Sequence, residues 1–99
     1  MAGEPIDARA IELARAVIGW LVGRANKRPM IDASDNAGIS IDFRKKAKQS
    51  AVTIFCEPDG KLMVLSHDGK HGNRARFEAL DDAMFHAFVD AALKAAEIE

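Results

Sequence analysis

His67 and His71 stand four residues apart with Asp68 between them, and two imidazoles with a carboxylate are groups a zinc ion accepts, with His86 as a third nitrogen if the fold supplies it. Four-residue spacing aligns two ligands only on a helix, however, and Gly69 and Gly72 in the same run favour a turn. The expectation is of loop histidines: no metal and no cofactor, with His67 and His71 as the residues to watch. Acid–base chemistry needs a group whose pKa is moved toward neutrality inside a concave pocket. His71 beside Arg74 and Arg76 has the elements to act on a phosphodiester but lacks a nucleophile or a metal, and Asp32 and Asp35 read as turn formers. The glycines of Asp68-Gly69-Lys70-His71-Gly72 open no helix and match no phosphate cradle. A catalytic function is therefore not expected.

The single Cys56 cannot form an internal disulfide, and its place in Val52-Thr53-Ile54-Phe55-Cys56 is that of an inert thiol in a strand. The N-terminus lacks the basic start and apolar run of a secretory leader, and charges interrupt every later apolar stretch before about 18 residues. A cytoplasmic protein with no membrane association is the expectation.

The basic segments are the clearest functional lead. Arg44-Lys45-Lys46-Ala47-Lys48 joins two strands, and Lys70-His71-Gly72-Asn73-Arg74-Ala75-Arg76 enters the last one. If these loops converge, Arg44, Lys45, Lys46, Lys48, Lys70, Arg74 and Arg76 meet a polyanion together, and Asn73 or an arginine reaches a base edge. The chain is not basic throughout. Fourteen Lys and Arg residues stand against fifteen Asp and Glu. Residues 24 to 56 carry seven basic side chains and three acidic ones, and residues 77 to 99 carry one basic and six acidic. That distribution makes the protein a dipole, with a positive loop side and a negative helical side. Asp81 and Asp82 at the start of the last helix suit a positive helix end and would repel a polyanion. With no tyrosine and one tryptophan, base-stacking platforms are scarce.

The elements that position these residues follow from periodicity. Asp7 caps a first helix running from about residue 7 to 25, with Ile6 and Ile11 placed for a hydrophobic staple. Ala10, Leu13, Ala14, Val17, Ile18, Trp20 and Leu21 form its apolar face. Asn26 offers a left-handed stop, and Pro29 cannot extend the helix. Residues 32 to 38 read as a polar turn. Ile39, Ile41 and Phe43 alternate with Ser40, Asp42 and Arg44 in a strand at about 38 to 44. Strands at about 51 to 57 and 61 to 66 flank the turn Pro58-Asp59-Gly60, and a fourth short strand is expected at about 74 to 77. Asp81 caps a second helix at about 81 to 97.

The resulting order, α-β-β-β-(β)-α in a single domain of 99 residues, is α+β: a two-layer fold in which an antiparallel meander packs against two helices. Helix 2 is apolar over most of its circumference, so either helix 1 and the sheet both cover it or another subunit does. Phe85, Val89 and Leu93 on that helix are accordingly candidate interface residues. So are Gly19 and Gly23 on helix 1, where missing side chains allow a close helix approach. The hairpin strands, with Leu62 to Leu65 apolar without a break, also have two partly dry faces. The leading expectation is a small non-enzymatic protein that binds or inhibits a protein partner, including one that itself binds nucleic acid, with a homodimer as one form. Direct nucleic-acid binding through residues 44–48 and 70–76 is the alternative, and a metal- or histidine-dependent enzyme the remaining one.

Overall fold

A computed structural model describes residues 6–25, 28–34 and 37–98. Helix α1 spans Ala8–Leu21, followed by β1 (Met30–Ala33), β2 (Ile39–Lys45), a single 3-10 turn (Lys46–Lys48), β3 (Ser50–Cys56), β4 (Leu62–His67), β5 (Gly72–Phe77) and helix α2 (Ala83–Ala95). The strands form one antiparallel sheet in the order β1-β2-β3-β4-β5, and both helices lie on one of its faces. This is the two-layer α+β meander that the sequence implies, with one strand more than its pattern signals.

The capping argument holds for α1. Asp7 is its N-cap, and a carboxylate oxygen accepts the Arg9 backbone N–H at 2.8 Å. Ala10, Ala14, Val17 and Leu21, spaced along one face, are buried against the sheet. The helix stops about one turn before residue 25, because Gly23 takes a φ of 86°. A left-handed residue there turns the chain away, and glycine adopts it without a Cβ penalty. Asn26, the expected stop, lies outside the described residues.

β1 is the strand absent from the sequence reading. Its residues Met30, Ile31, Asp32 and Ala33 are all exposed and pair only with β2, so no period-2 alternation marks it. The other strands lie within two residues of their expected bounds. The turn between β3 and β4 forms as its residues require: Gly60 has φ 89°, and the Lys61 backbone N–H donates to Asp59 Oδ1 at 3.0 Å.

The antiparallel register carries the core across the sheet in rows. Ile41, Ile54 and Val64 are paired neighbours, as are Ile39, Cys56, Leu62 and Phe77, and Phe43 with Val52. Phe85, Val89, Ala92 and Leu93 of α2 descend onto these rows, and all are buried. Burial of such side chains is the main stabilising term in a chain of this size.

α2 begins one residue later than expected, with Asp82 rather than Asp81 as its N-cap, accepting from the Met84 backbone N–H at 2.8 Å. Its C-terminus closes by a reversal. Glu97 adopts φ 58°, the Ile98 N–H donates to the Leu93 carbonyl at 2.9 Å, and the Glu97 N–H to the Lys94 carbonyl at 3.1 Å. This pair of bonds is the Schellman motif, with Ile98 folded back fully buried as its apolar partner.

Candidate functional site

The two basic loops do meet at one end of the sheet. The 3-10 turn after β2 and the β4–β5 turn lie side by side, so closely that a Cβ on Gly69 would stand 2.5 Å from the Lys48 carbonyl oxygen. Gly69 also has φ 99°. Part of this positive cluster faces inward, onto the end of α2. Lys48 Nζ is ion-paired with the Glu97 carboxylate, Lys45 Nζ lies 3.8 Å from the same carboxylate and donates to the Glu97 carbonyl at 3.3 Å. Ser50 Oγ donates to the Ala96 carbonyl at 2.8 Å in a buried setting. Lys45 and Ser50 thus satisfy carbonyls at the end of the helix, where the macrodipole is negative, and Lys48 pairs the Glu97 carboxylate beside them. The hydrogen bond from Lys48, assisted by Lys45, holds the Glu97 carboxyl below its ordinary range. Lys46 and Lys70 are the lysines of these loops whose exposed ammonium groups have no partner among the described residues.

The arginines of the same segments go elsewhere. Alternation along β2 and β5 puts Arg44, Arg74 and Arg76 on the sheet face away from the helices, and Asn73 on the helix side. Arg44 Nε lies 2.6 Å from Asp42, and Arg76 lies 3.6 Å from Glu57. Asn73 borders a groove of about 200 Å³ between the β4–β5 turn and α2, with Ser66, His71 and Phe88.

His67 and His71 hold the turn together. His67 Nδ1 accepts the Gly69 N–H at 3.0 Å, and Asp68 Oδ1 accepts the backbone N–H groups of His71 at 2.7 Å and Lys70 at 2.8 Å. Those two bonds lower the Asp68 pKa. His86 lies on α2, where its ring stacks on Trp20 at 4.7 Å and Nε2–H donates to the Leu80 carbonyl at 2.7 Å. Among the described residues no group of three His, Cys, Asp or Glu is placed to hold a metal ion. Burial pushes the Cys56 thiol up to about 12, which keeps it protonated.

The residues expected at an interface divide. Phe85, Val89 and Leu93 are fully buried beneath α1 and the sheet, so the chain itself covers the broad apolar face of α2. Gly23 is the left-handed residue that ends α1. Gly19 is exposed, with open space where a Cβ would stand, and no close approach requires it.

Among the described residues no layer covers the face of the sheet away from the helices, its open face. Register places Asp32, Ser40, Phe55, Met63 and Arg76 in one row across it, and Met30, Asp42, Thr53, Leu65 and Arg74 in the next. The first row runs from Asp32 on β1 through Phe55 and Met63 to Arg76 on β5, and the second from Met30 and Asp42 through Thr53 and Leu65 to Arg74. Phe55 and Met63 are half-buried by their neighbours, Leu65 is 36% exposed and Met30 70% exposed. Around them lies a shallow depression of about 560 Å³ lined by Met30, Asp32, Asp42, Thr53, Phe55 and Leu65 among others. Asp42 is held in place by Thr53 Oγ1, which donates to it at 2.7 Å, and by Arg44. A smaller apolar groove of about 260 Å³ runs beside the end of α1, where Val22 meets Pro29 and Phe43.

The two partly dry faces of the β3–β4 hairpin were the one signal of this surface in the sequence. In the sequence Asp32 falls in the expected turn at residues 32 to 38, so its row across the sheet does not show, while Arg74 and Arg76 fall both in the basic segment and in the expected strand at about 74 to 77.

No family model, curated protein or solved structure matches this chain. No helix among the described residues is long and apolar enough to cross a membrane.

Proposed function

We propose that this chain is a non-catalytic protein-binding module whose contact surface is the open face of the sheet. The observation that carries the reading is the apolar centre formed by Phe55, Met63 and Leu65, flanked by charged side chains of both signs. A broad face of a two-layer domain with an apolar middle and a polar, charged rim has the composition of a protein interface. Antiparallel sheets with one solvated face ordinarily alternate apolar-in and polar-out, and β3 and β4 depart from that pattern in the middle of the sheet. His67, Asp68 and His86 are engaged in turn and helix contacts, which supports a binding role over a catalytic one. The setting is proposed to be cytoplasmic.

A photo-crosslinking residue placed at Phe55 or Leu65, compared with one at Ala16 on the exposed side of α1, tests the reading in cells producing the protein. Protein adducts formed from the sheet positions and not from Ala16 are expected. Adducts absent from the sheet positions, or equal at Ala16, would overturn it.

A second reading rests on the convergence of the two basic loops, which brings Lys46 and Lys70 to one end of the sheet. Phosphates of a nucleic acid are the ligand these side chains suit. The inward pairing of Lys45 and Lys48 reduces the charge available, and for that reason it ranks second. Anisotropy of labelled DNA and RNA at about 50 and 200 mM salt decides it. Binding that weakens steeply with salt and is lost in a Lys46→Ala/Lys70→Ala variant supports it, and no binding at low salt removes it.

A further inference from the structure

We infer that the occupant of the open sheet face is a second copy of this chain, related by a two-fold axis that runs along β3; this inference rests on the protein-binding reading of that face. Charge order across the sheet is what selects it. On β1 and β2, Asp32 and Asp42 outnumber Arg44, which is itself paired with Asp42. On β5 the charges facing the same way are Arg74 and Arg76, the latter 3.6 Å from Glu57. The Asp32–Arg76 row therefore has an acidic end and a basic end about Phe55 and Met63, and the next row carries its carboxylate, Asp42, on the β1–β2 side and its arginine, Arg74, on β5.

Two sheets stacked face to face keep their strands within about 30° of each other, and a closed pair of identical faces needs a two-fold axis lying between the sheets. Two orientations of that axis are available. An axis across the strands sets β1 on β1 and β5 on β5, bringing arginines onto arginines and carboxylates onto carboxylates. An axis along the strands, centred on β3, reverses each row. Arg76 of the second copy then stands over Asp32 of the first, Met63 over Ser40, and Phe55 over its own counterpart at the middle. Opposite charges meet at both rims of this row and Phe55 meets Phe55 at its centre, while in the next row Arg74 stands over Met30 and Leu65 over Asp42; the Asp32–Arg76 pairs, made twice, give this arrangement the better electrostatic complementarity.

The edges of the sheet offer less. β1 has four residues, and β5 carries two arginines and an asparagine, features that discourage strand addition. Five strands at about 4.8 Å spacing, each about 20 Å long, give a face of roughly 450 to 500 Å² on each copy, below the roughly 600 to 1,000 Å² per partner of stable interfaces and in the range of weak, transient ones. A reversible dimer with a micromolar dissociation constant fits that size.

Sedimentation equilibrium of the full chain from about 1 to 500 µM tests the inference, with circular dichroism and denaturant unfolding of each variant as the check on folding. A monomer–dimer equilibrium is expected. Arg76→Asp and Asp32→Arg should each weaken it about tenfold or more, because each sets like charges together, and the double variant should return to within about threefold of the parent. Phe55→Glu, which places two carboxylates at the axis, should abolish the dimer while the monomer stays folded. A monomer across the whole range, or a dimer indifferent to both charge reversals, would overturn the inference. The protein-binding reading has its own test: adducts from Phe55 to a different protein would keep it while a monomer excludes the self-partner.

Discussion

Replacing Ser50 by alanine removes one buried hydroxyl that ties the β2–β3 connection to the end of α2. Ser50 is 3% exposed, and its Oγ donates to the Ala96 carbonyl at 2.8 Å across 46 residues of sequence. The variant loses that bond and leaves the carbonyl of a buried residue, Ala96, without its donor. A neutral hydrogen bond contributes about 1 kcal/mol net, and an orphaned buried acceptor costs about 1–3 kcal/mol. The expected loss is thus about 1–3 kcal/mol, or roughly 5–15 °C in Tm for a domain of this length. Ser66 lies on the same face of the sheet, is only half-buried, and its hydroxyl has no hydrogen-bond partner among the described residues, so Ser66→Ala serves as the control with an expected change under about 0.5 kcal/mol. Urea unfolding of the three proteins, read by circular dichroism with the m-value held as a check, measures the difference. Equal midpoints for Ser50→Ala and Ser66→Ala would refute the account of this loop as the clamp on α2.

Three further outcomes follow from the same geometry. Gly69→Ala places a Cβ 2.5 Å from the Lys48 carbonyl at a φ of 99°, so it should destabilise by about 2 kcal/mol or more, measured in the same urea experiment; Gly60→Ala, with a similar φ but open space around it, should lose less. Cys56 should resist a thiol reagent in the native state and react at the rate of unfolding. Its folded pKa of about 12 exceeds that of the unfolded thiol, so the unfolded chain releases the proton first and stability falls between about pH 9 and 12 by about 1.4 kcal/mol per pH unit. In acid, Glu97, Asp68 and Asp7 have folded pKa values below their unfolded ones, so their contribution is complete above about pH 5 and is lost as pH falls through the folded values, and Glu97→Gln should flatten that loss.

How far the sequence discloses this protein depends on whether a residue's role is local. Asp7 and Gly60 act on neighbours within a few positions, and the helix start and hairpin turn that they imply are the ones observed. The alternation of Ile39, Ile41 and Phe43 shows in the same way, because one sheet face is closed by helices. β1 does not show, since a four-residue edge strand that is exposed throughout carries no burial pattern. Nor does the turn at Glu97, a left-handed position usually given to glycine. Its glutamate makes sense only beside Lys45 and Lys48, about fifty residues away. The same distance hides the partners of the basic residues. Lys45 and Lys48 count as free positive charge in the sequence and as a helix clamp in the fold. The apolar circumference of α2 suggested a partner, but α1, β5 and the chain end cover much of it, with Trp20, Phe77 and Ile98 packed around Phe85 and Leu93. The partly dry hairpin strands signal the open face, but the row that joins Asp32, Phe55, Met63 and Arg76 across it depends on register.

Methionine oxidation measures the central claim most directly. Met30 and Met63 lie on the open face, and Met84, 70% exposed like Met30, lies on α2 on the opposite side of the molecule. A brief hydroxyl-radical pulse on the dilute purified chain and on cells producing it, read by mass spectrometry of the three methionine peptides, compares the two surfaces within one molecule. Occupation of the open face predicts that Met30 and Met63 are protected in cells relative to the dilute chain while Met84 is not. Equal oxidation of Met30 and Met84 in both settings would contradict it.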